Sequence, residues 1–191
     1  MAFAVEISEV TEAEFPLMDV LRDTVFGEFG FVSRAPLERG LADKKDLFLL
    51  MAHLEGNPVG FSGGCRRKPF DFYINYVAVL KDYRRQGLGR EFVTRMEGFA
   101  RSRGYERIEF NTQNRFPGMM RLGLKLGYRP IGLEQHDGTM YDLQIRFGKT
   151  FDKDEPIDAR LLAAIEAGDE IAGMLRERSG RLRIILRSEA P

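Results

Sequence analysis

The stretch that most constrains this chain is Tyr76–Phe92, "YVAVLKDYRRQGLGREF". An apolar run passes through a charged turn into Arg84-Arg85-Gln86-Gly87-Leu88-Gly89-Arg90, and a helical pattern follows. A strand that enters a helix through glycines leaves backbone N–H groups pointing outward, at a helix start carrying about half a positive charge. Such a start favours an anion, and a glycine lets a phosphate oxygen reach the backbone. Arg84 and Arg90 stand ready to add charge-assisted bonds at its rim. Two adjacent phosphates suit it better than one carboxylate. The alternative is a tight, solvated turn with ordinary surface arginines. The stretch is not a P-loop, because no Gly-x-x-x-x-Gly-Lys-Ser/Thr is present. It is not a dinucleotide fingerprint, because Phe92 stands where the third glycine belongs.

The rest of the chain makes this a local feature. Lys plus Arg equals Asp plus Glu at 29 each in 191 residues, 43% of them hydrophobic. The length suits one globular domain with an appendage, and the balanced charge argues against nucleic acid or an anionic membrane as partner. Cys65 is alone, so no internal disulfide forms, and no Cys-His spacing suggests zinc or another metal. The first residues lack the basic and long apolar regions of a signal peptide. The longest apolar run, 47–52, is far short of a membrane span. These features predict a cytoplasmic protein.

Around the turn, periodicity predicts a mixed sheet with crossover helices. Strands are expected at 4–9, 47–54, 59–66, 73–80, 107–112, 128–133 and 140–147. Helices are expected after a Thr11/Glu14 capping box, over 36–44, over 87–104 and from Pro117 to Leu126. Leu17, Met18, Leu21 and Val25 fall at helical spacing in the first. Glu55-Gly56-Asn57-Pro58 predicts a hairpin, and Gly60, Gly63 and Gly64 predict a close approach on its second strand. After Thr150 the character changes. Residues 152–156 read as a linker, 157–178 as a helix broken near Gly168, and 181–188 as a strand. The domains expected are thus 1–150 and a C-terminal extension, 151–191. Its apolar positions Leu161, Leu162, Ile165, Ile171, Met174 and Leu175 need a surface, either its own core or a second copy of the chain as a homodimer.

"YVAVLKDYRRQGLG" resembles the acyl-CoA signature of the GNAT superfamily of N-acyltransferases, with Arg84, Gly87 and Gly89 in register. "KLGYRPIG", Lys125–Gly132, resembles the family's second mark, a helix ending in Leu-Gly-Phe before a strand. The resemblance covers about three quarters of the chain and leaves 151–191 outside. It implies an α/β (α+β) fold with a mixed, mostly antiparallel sheet flanked by helices. It implies acetyl-CoA as acyl donor, its pyrophosphate on backbone N–H groups of Arg85, Gln86, Gly87, Leu88, Gly89 and Arg90. The pantetheine arm would run along Val77, Ala78 and Val79, with the adenine end near Asn114.

The resemblance also shows two departures. A tyrosine often stands four residues before the Leu-Gly-Phe glycine as general acid, and here that position is Gly123. Tyr128 reads as a core ring. The base is often a Glu six residues before Val79, where this chain has Tyr73, which either relays a proton through water or is an ordinary strand aromatic. Asp71, Glu109, His53 and Asp142 are further candidates, Glu109 reading as a solvated charge and His136 as surface. Arg66-Arg67-Lys68 reads as a solvated hairpin end. Phe70, Phe72, Tyr73, Phe110 and Phe116 either line an acceptor pocket or belong to the core. No Ser-His-Asp or Cys-His set suggests a covalent intermediate. The reading is therefore direct acetyl transfer to a primary amine, with a small-molecule acceptor favoured over a protein amine. The rival is an acyl-CoA-binding or regulatory module without chemistry.

Overall fold

The computed structural model describes residues 5–28, 35–135, 143–152, 158–176 and 182–189. His136 and Asp142, and most of the expected linker, lie outside them. The strands form a seven-stranded, mostly antiparallel mixed sheet in the order β1-β2-β3-β4-β5-β7-β6, flanked by helices, as expected. The chain divides into two compact units, Met1–Tyr105 and Glu106–Pro191.

In the first unit, β1 (Val5–Glu9), β2 (Phe48–Leu54), β3 (Asn57–Lys68) and β4 (Asp71–Val79) pair antiparallel in sequence order. The Thr11/Glu14 box forms: the Glu14 carboxylate accepts from the Thr11 N–H and hydroxyl, both at 2.8 Å. These bonds hold the Glu14 carboxyl below its usual range. Helix α1 (Phe15–Gly27) buries Met18, Leu21 and Val25. Leu17, expected among them, is exposed. Together with Leu37 and Leu41 of α2 (Leu37–Leu41), these side chains cover Leu49 and Met51 of β2, Phe61 of β3 and Ala78 of β4. Strand side chains alternate between faces, so Phe48 points the other way, stacking on Phe99 of α3 (Leu88–Ser102) at 4.2 Å. Helices thus cover both faces of β2, β3 and β4.

The three glycines of β3 have the expected use. A Cβ at Gly60 would come 2.6 Å from the Ala78 carbonyl oxygen, and one at Gly64 would come 2.5 Å from the Phe72 ring. The β3–β4 register slips between Gly63 and Gly64, where Gly63 faces Tyr76 and Gly64 faces Ile74. Asn75 is therefore the extra residue of a bulge, and its side-chain oxygen accepts from the Cys65 thiol at 3.2 Å.

At the end of this unit the Tyr105 hydroxyl donates to Asp46 at 2.5 Å. Burial first, and then this bond, push the Tyr105 hydroxyl up to about 12. The folded chain holds this proton more tightly than the unfolded one, whose tyrosine titrates near 10. Its contribution is therefore complete below pH 10 and lost as pH rises toward 12. Tyr105→Phe should lower stability by about 1–2 kcal/mol at pH 7. It should also flatten the fall in denaturation midpoint between pH 10 and 12, which urea titrations at each pH would read.

In the second unit, β5 (Arg107–Gln113) and β6 (Arg129–Gln135) flank β7 (Leu143–Thr150), all antiparallel. Helix α4 (Pro117–Lys125) opens on proline, whose missing N–H costs nothing there. Phe110 stacks on Phe147 at 5.2 Å and meets Tyr128 at 5.0 Å, and all three are buried. Helix α5 (Ala159–Glu166) starts at Asp158, whose carboxylate accepts from the Leu161 N–H at 3.0 Å. It lies by α4, where Lys125 and Glu166 pair at 2.7 Å.

The helix expected to continue to Arg178 does not. Residues Ile171–Arg176 form β8, hairpinned to β9 (Leu182–Leu186), the strand expected there. Ile171, Ile184 and Leu186 are buried on one face, so the period is two and not 3.6. Leu161, Ile165 and Ile171 are covered within this unit, while Leu175 stays exposed.

Candidate active site

The glycine turn has the expected backbone. Strand β4 ends at Val79, a short 3-10 turn spans Lys81–Tyr83, and Gly87 caps α3. Gly87 sits at φ 90°, a left-handed conformation that suits glycine. Its carbonyl accepts the Glu91 N–H at 3.0 Å, closing the first helical turn. The N–H groups that follow belong to the orphan donors of a helix start. Arg85, at φ 64°, is also left-handed. Arg85, Gln86, Gly87 and Arg90 are exposed, Gly89 is half-buried, and Leu88 is buried as the helix anchor. A Cβ at Gly87 would meet nothing within 4 Å, so the space over the turn is open. The turn thus leaves open space beside helix-start N–H groups and two exposed arginines, Arg85 and Arg90.

Arg84 behaves differently from its neighbours. Its Nε donates to the Val79 carbonyl at 2.9 Å, and a terminal nitrogen donates to Glu28 at 3.2 Å. The side chain folds back and braces the turn against the strand end. Gln86 braces it again by donating to the Asp82 carbonyl at 3.0 Å. Upstream, Ala78 is fully buried between α1 and the sheet, while Val77 and Val79 are half-buried. All these residues belong to the first unit. Asn114 belongs to the second, following β5, and its N–H donates to the Leu143 carbonyl at 3.1 Å.

The candidate acid–base groups separate. Tyr73 is half-buried on β4 opposite Cys65, with the Arg67 guanidinium 4.8 Å above its ring. Burial pushes the Cys65 thiol up, which keeps it a thiol and unsuited to nucleophilic attack. His53 lies 3.3 Å from Glu14, at the β1–β2 end. Asp71 is buried at the start of β4. Glu109, read from sequence as solvated, is 6% exposed on β5. Among the aromatics, Phe72 and Phe110 are core, Phe116 is half-buried and Phe70 is exposed.

Gly123 is filled from outside. A Cβ there would come 2.6 Å from the Phe110 ring and 3.6 Å from Phe147. Tyr128 is 1% exposed, packed on Phe110 with Lys149 over its ring at 5.6 Å. Its N–H donates to the Gly123 carbonyl at 2.9 Å, fixing the helix-to-strand turn. Lys44 and Lys45 join Arg66, Arg67 and Lys68 around one cleft. In the sequence the Arg66-Arg67-Lys68 run reads only as a hairpin end, and the Lys44-Lys45 pair that faces it lies some twenty residues away.

An antiparallel sheet flanked by helices, with a strand running into a left-handed glycine at a helix start, is the architecture of an acyl-CoA-dependent acetyltransferase. Residues 15–128 match the family described as Acetyltransferase (GNAT) family, and the chain belongs to it. No curated protein sequence matches it. Solved structures share the fold. An acetyltransferase of the GNAT family from Staphylococcus aureus superposes with TM-score 0.67 at 17% identity, over 77% of this chain and 99% of that one. An aminoglycoside 6'-N-acetyltransferase complexed with coenzyme A gives 0.65 at 17%, over 79% and 99%. A ribosomal-protein-alanine N-acetyltransferase from Brucella melitensis gives 0.62 at 20%, over 76% and 99%. Among the described residues, no helix is long and apolar enough to cross a membrane.

Proposed function

We propose that this chain moves the acetyl group of acetyl-CoA directly to a primary amine of a small molecule. The observation that carries the reading is the open, left-handed turn at Gly87, with exposed Arg85 and Arg90 beside the donors of the α3 start. Residues 85–90 hold the pyrophosphate, and the edge of Val77–Val79 receives the pantetheine arm. The bound thioester supplies an acyl group activated toward amines. Gly87 contributes backbone that reaches phosphate, and Arg84 keeps the turn in place through Val79 and Glu28. The amine attacks the thioester directly, and the buried Cys65 thiol takes no part. Tyr73 is the strand group assigned to face the amine and relay its proton through water.

The second reading, a protein that binds acyl-CoA without turnover, is favoured by one observation: Phe110 fills the space beside Gly123. Thiol release decides between them. The transferase releases CoA slowly from acetyl-CoA alone and faster when an accepted amine is added. A screen in which no amine accelerates release supports the binding module. Turnover should rise with pH as the amine deprotonates and show no falling limb from a tyrosine acid. Tyr128→Phe should keep the turnover number within a few-fold. A hundredfold loss in folded protein would give Tyr128 the acid role.

A further inference from the structure

The first unit carries a second concentration of positive charge, at the hairpin end of β4. Lys44 and Lys45 precede β2, while Arg66, Arg67 and Lys68 close β3. The Arg66 N–H donates to the Lys45 carbonyl at 2.9 Å and ties the two segments together. With Asp43 and Pro69 they line a cleft of about 500 Å³. Five cations and one carboxylate, Asp43, line it, with Asp46 beside Arg66 as a second carboxylate, in a chain whose formal net charge is zero. Arg66 has Asp46 at 3.8 Å, and Lys44, Lys45 and Lys68 form no ion pair among the described residues. Like charges converging in a cleft raise the local potential and draw in anions. Its volume falls in the range of small-molecule sites, and the zero net charge gives no support to a polyanion.

This cleft is not the seat of the CoA pyrophosphate. Strand β4 has nine residues, which at about 3.3 Å each set its two ends roughly 26–30 Å apart. The glycine turn follows the far end. The cleft does adjoin the acceptor side of the proposed site, because Arg67 reaches from its lining over the ring of Tyr73.

We infer that the cleft holds the anionic end of the acceptor, an amine that also carries at least two negative charges as phosphate or carboxylate groups. The inference rests on the transferase reading above. Its test has a binding arm that needs no turnover. With the glycine turn filled by saturating CoA, inorganic pyrophosphate is titrated into wild type and into the double variant Lys45→Glu/Lys68→Glu. Both positions are exposed, and the melting temperature confirms folding. One equivalent should bind wild type, more weakly as salt rises, and at least tenfold more weakly in the variant. The kinetic arm compares phosphoethanolamine with ethanolamine, and glutamate with its diamide, which separates phosphate from carboxylate. An anionic amine should show a KM at least tenfold below its neutral partner. The variant should erase that advantage and leave the KM for acetyl-CoA unchanged. Absence of pyrophosphate binding, or neutral amines that serve as well as anionic ones, would overturn the inference. Pyrophosphate binding without thiol release from any amine would refute the transferase reading instead, and with it the assignment of the cleft to an acceptor.

Discussion

Gly123→Tyr should unfold the second unit rather than restore a catalytic acid. A Cβ at this position lies 2.6 Å from the edge of Phe110 and 3.6 Å from Phe147, against a stacked and buried pair of rings. One or two extra methylenes in a packed core already cost about 1–3 kcal/mol, and a whole phenol ring asks for more. Each kcal/mol lowers Tm by about 2–4 °C for a chain of this size. A fall of roughly 10 °C or more is therefore expected, or no folded protein. Adding Phe110→Ala should recover part of the loss, because it removes the ring in the way, although that change alone costs about 3–5 kcal/mol. An unchanged Tm for Gly123→Tyr would mean that the helix can move off the sheet, and the packing account would fail.

Gly87→Val should abolish most CoA affinity while leaving the chain folded. A Cβ there meets no protein atom within 4 Å, so the substitution starts in open space. The cost is conformational, because φ 90° suits a β-branched residue poorly, at about 1–3 kcal/mol. The backbone escapes that cost by turning away, and the N–H groups then lose their aim. Each charge-assisted bond lost is worth about 1.5–3 kcal/mol, so two lost bonds weaken binding by a hundredfold or more. Arg84→Ala should do less. Its guanidinium braces Val79 and Glu28, and its removal loosens the turn without closing it.

Local signals proved readable where one residue type meets one backbone need. The hairpin at 55–58 turns through left-handed Glu55 and Gly56, Pro117 opens α4, and Gly87 takes the left-handed cap. Features set by distant partners were less readable. Ile171, Met174 and Leu175 fit a helical spacing, yet β9 supplies a pairing edge that makes 171–176 a strand. Glu109 alternates correctly with Ile108 and Phe110, but β7 beside it helps bury the carboxylate that the sequence left in water. The missing tyrosine was visible as Gly123, whereas the Phe110 ring that occupies the space beside it required the fold. The basic cleft joins two segments some twenty residues apart through the β2–β3 register, which no local pattern reveals.

The central claim is that backbone at 85–90 holds the pyrophosphate of acyl-CoA. Calorimetric titration of CoA into wild type and Gly87→Val, each checked for folding by its melting curve, tests it most directly. The account predicts one CoA per wild-type chain and a loss of affinity of a hundredfold or more in the variant. Wild type that binds no CoA, or a folded Gly87→Val chain that binds it as tightly, would contradict it.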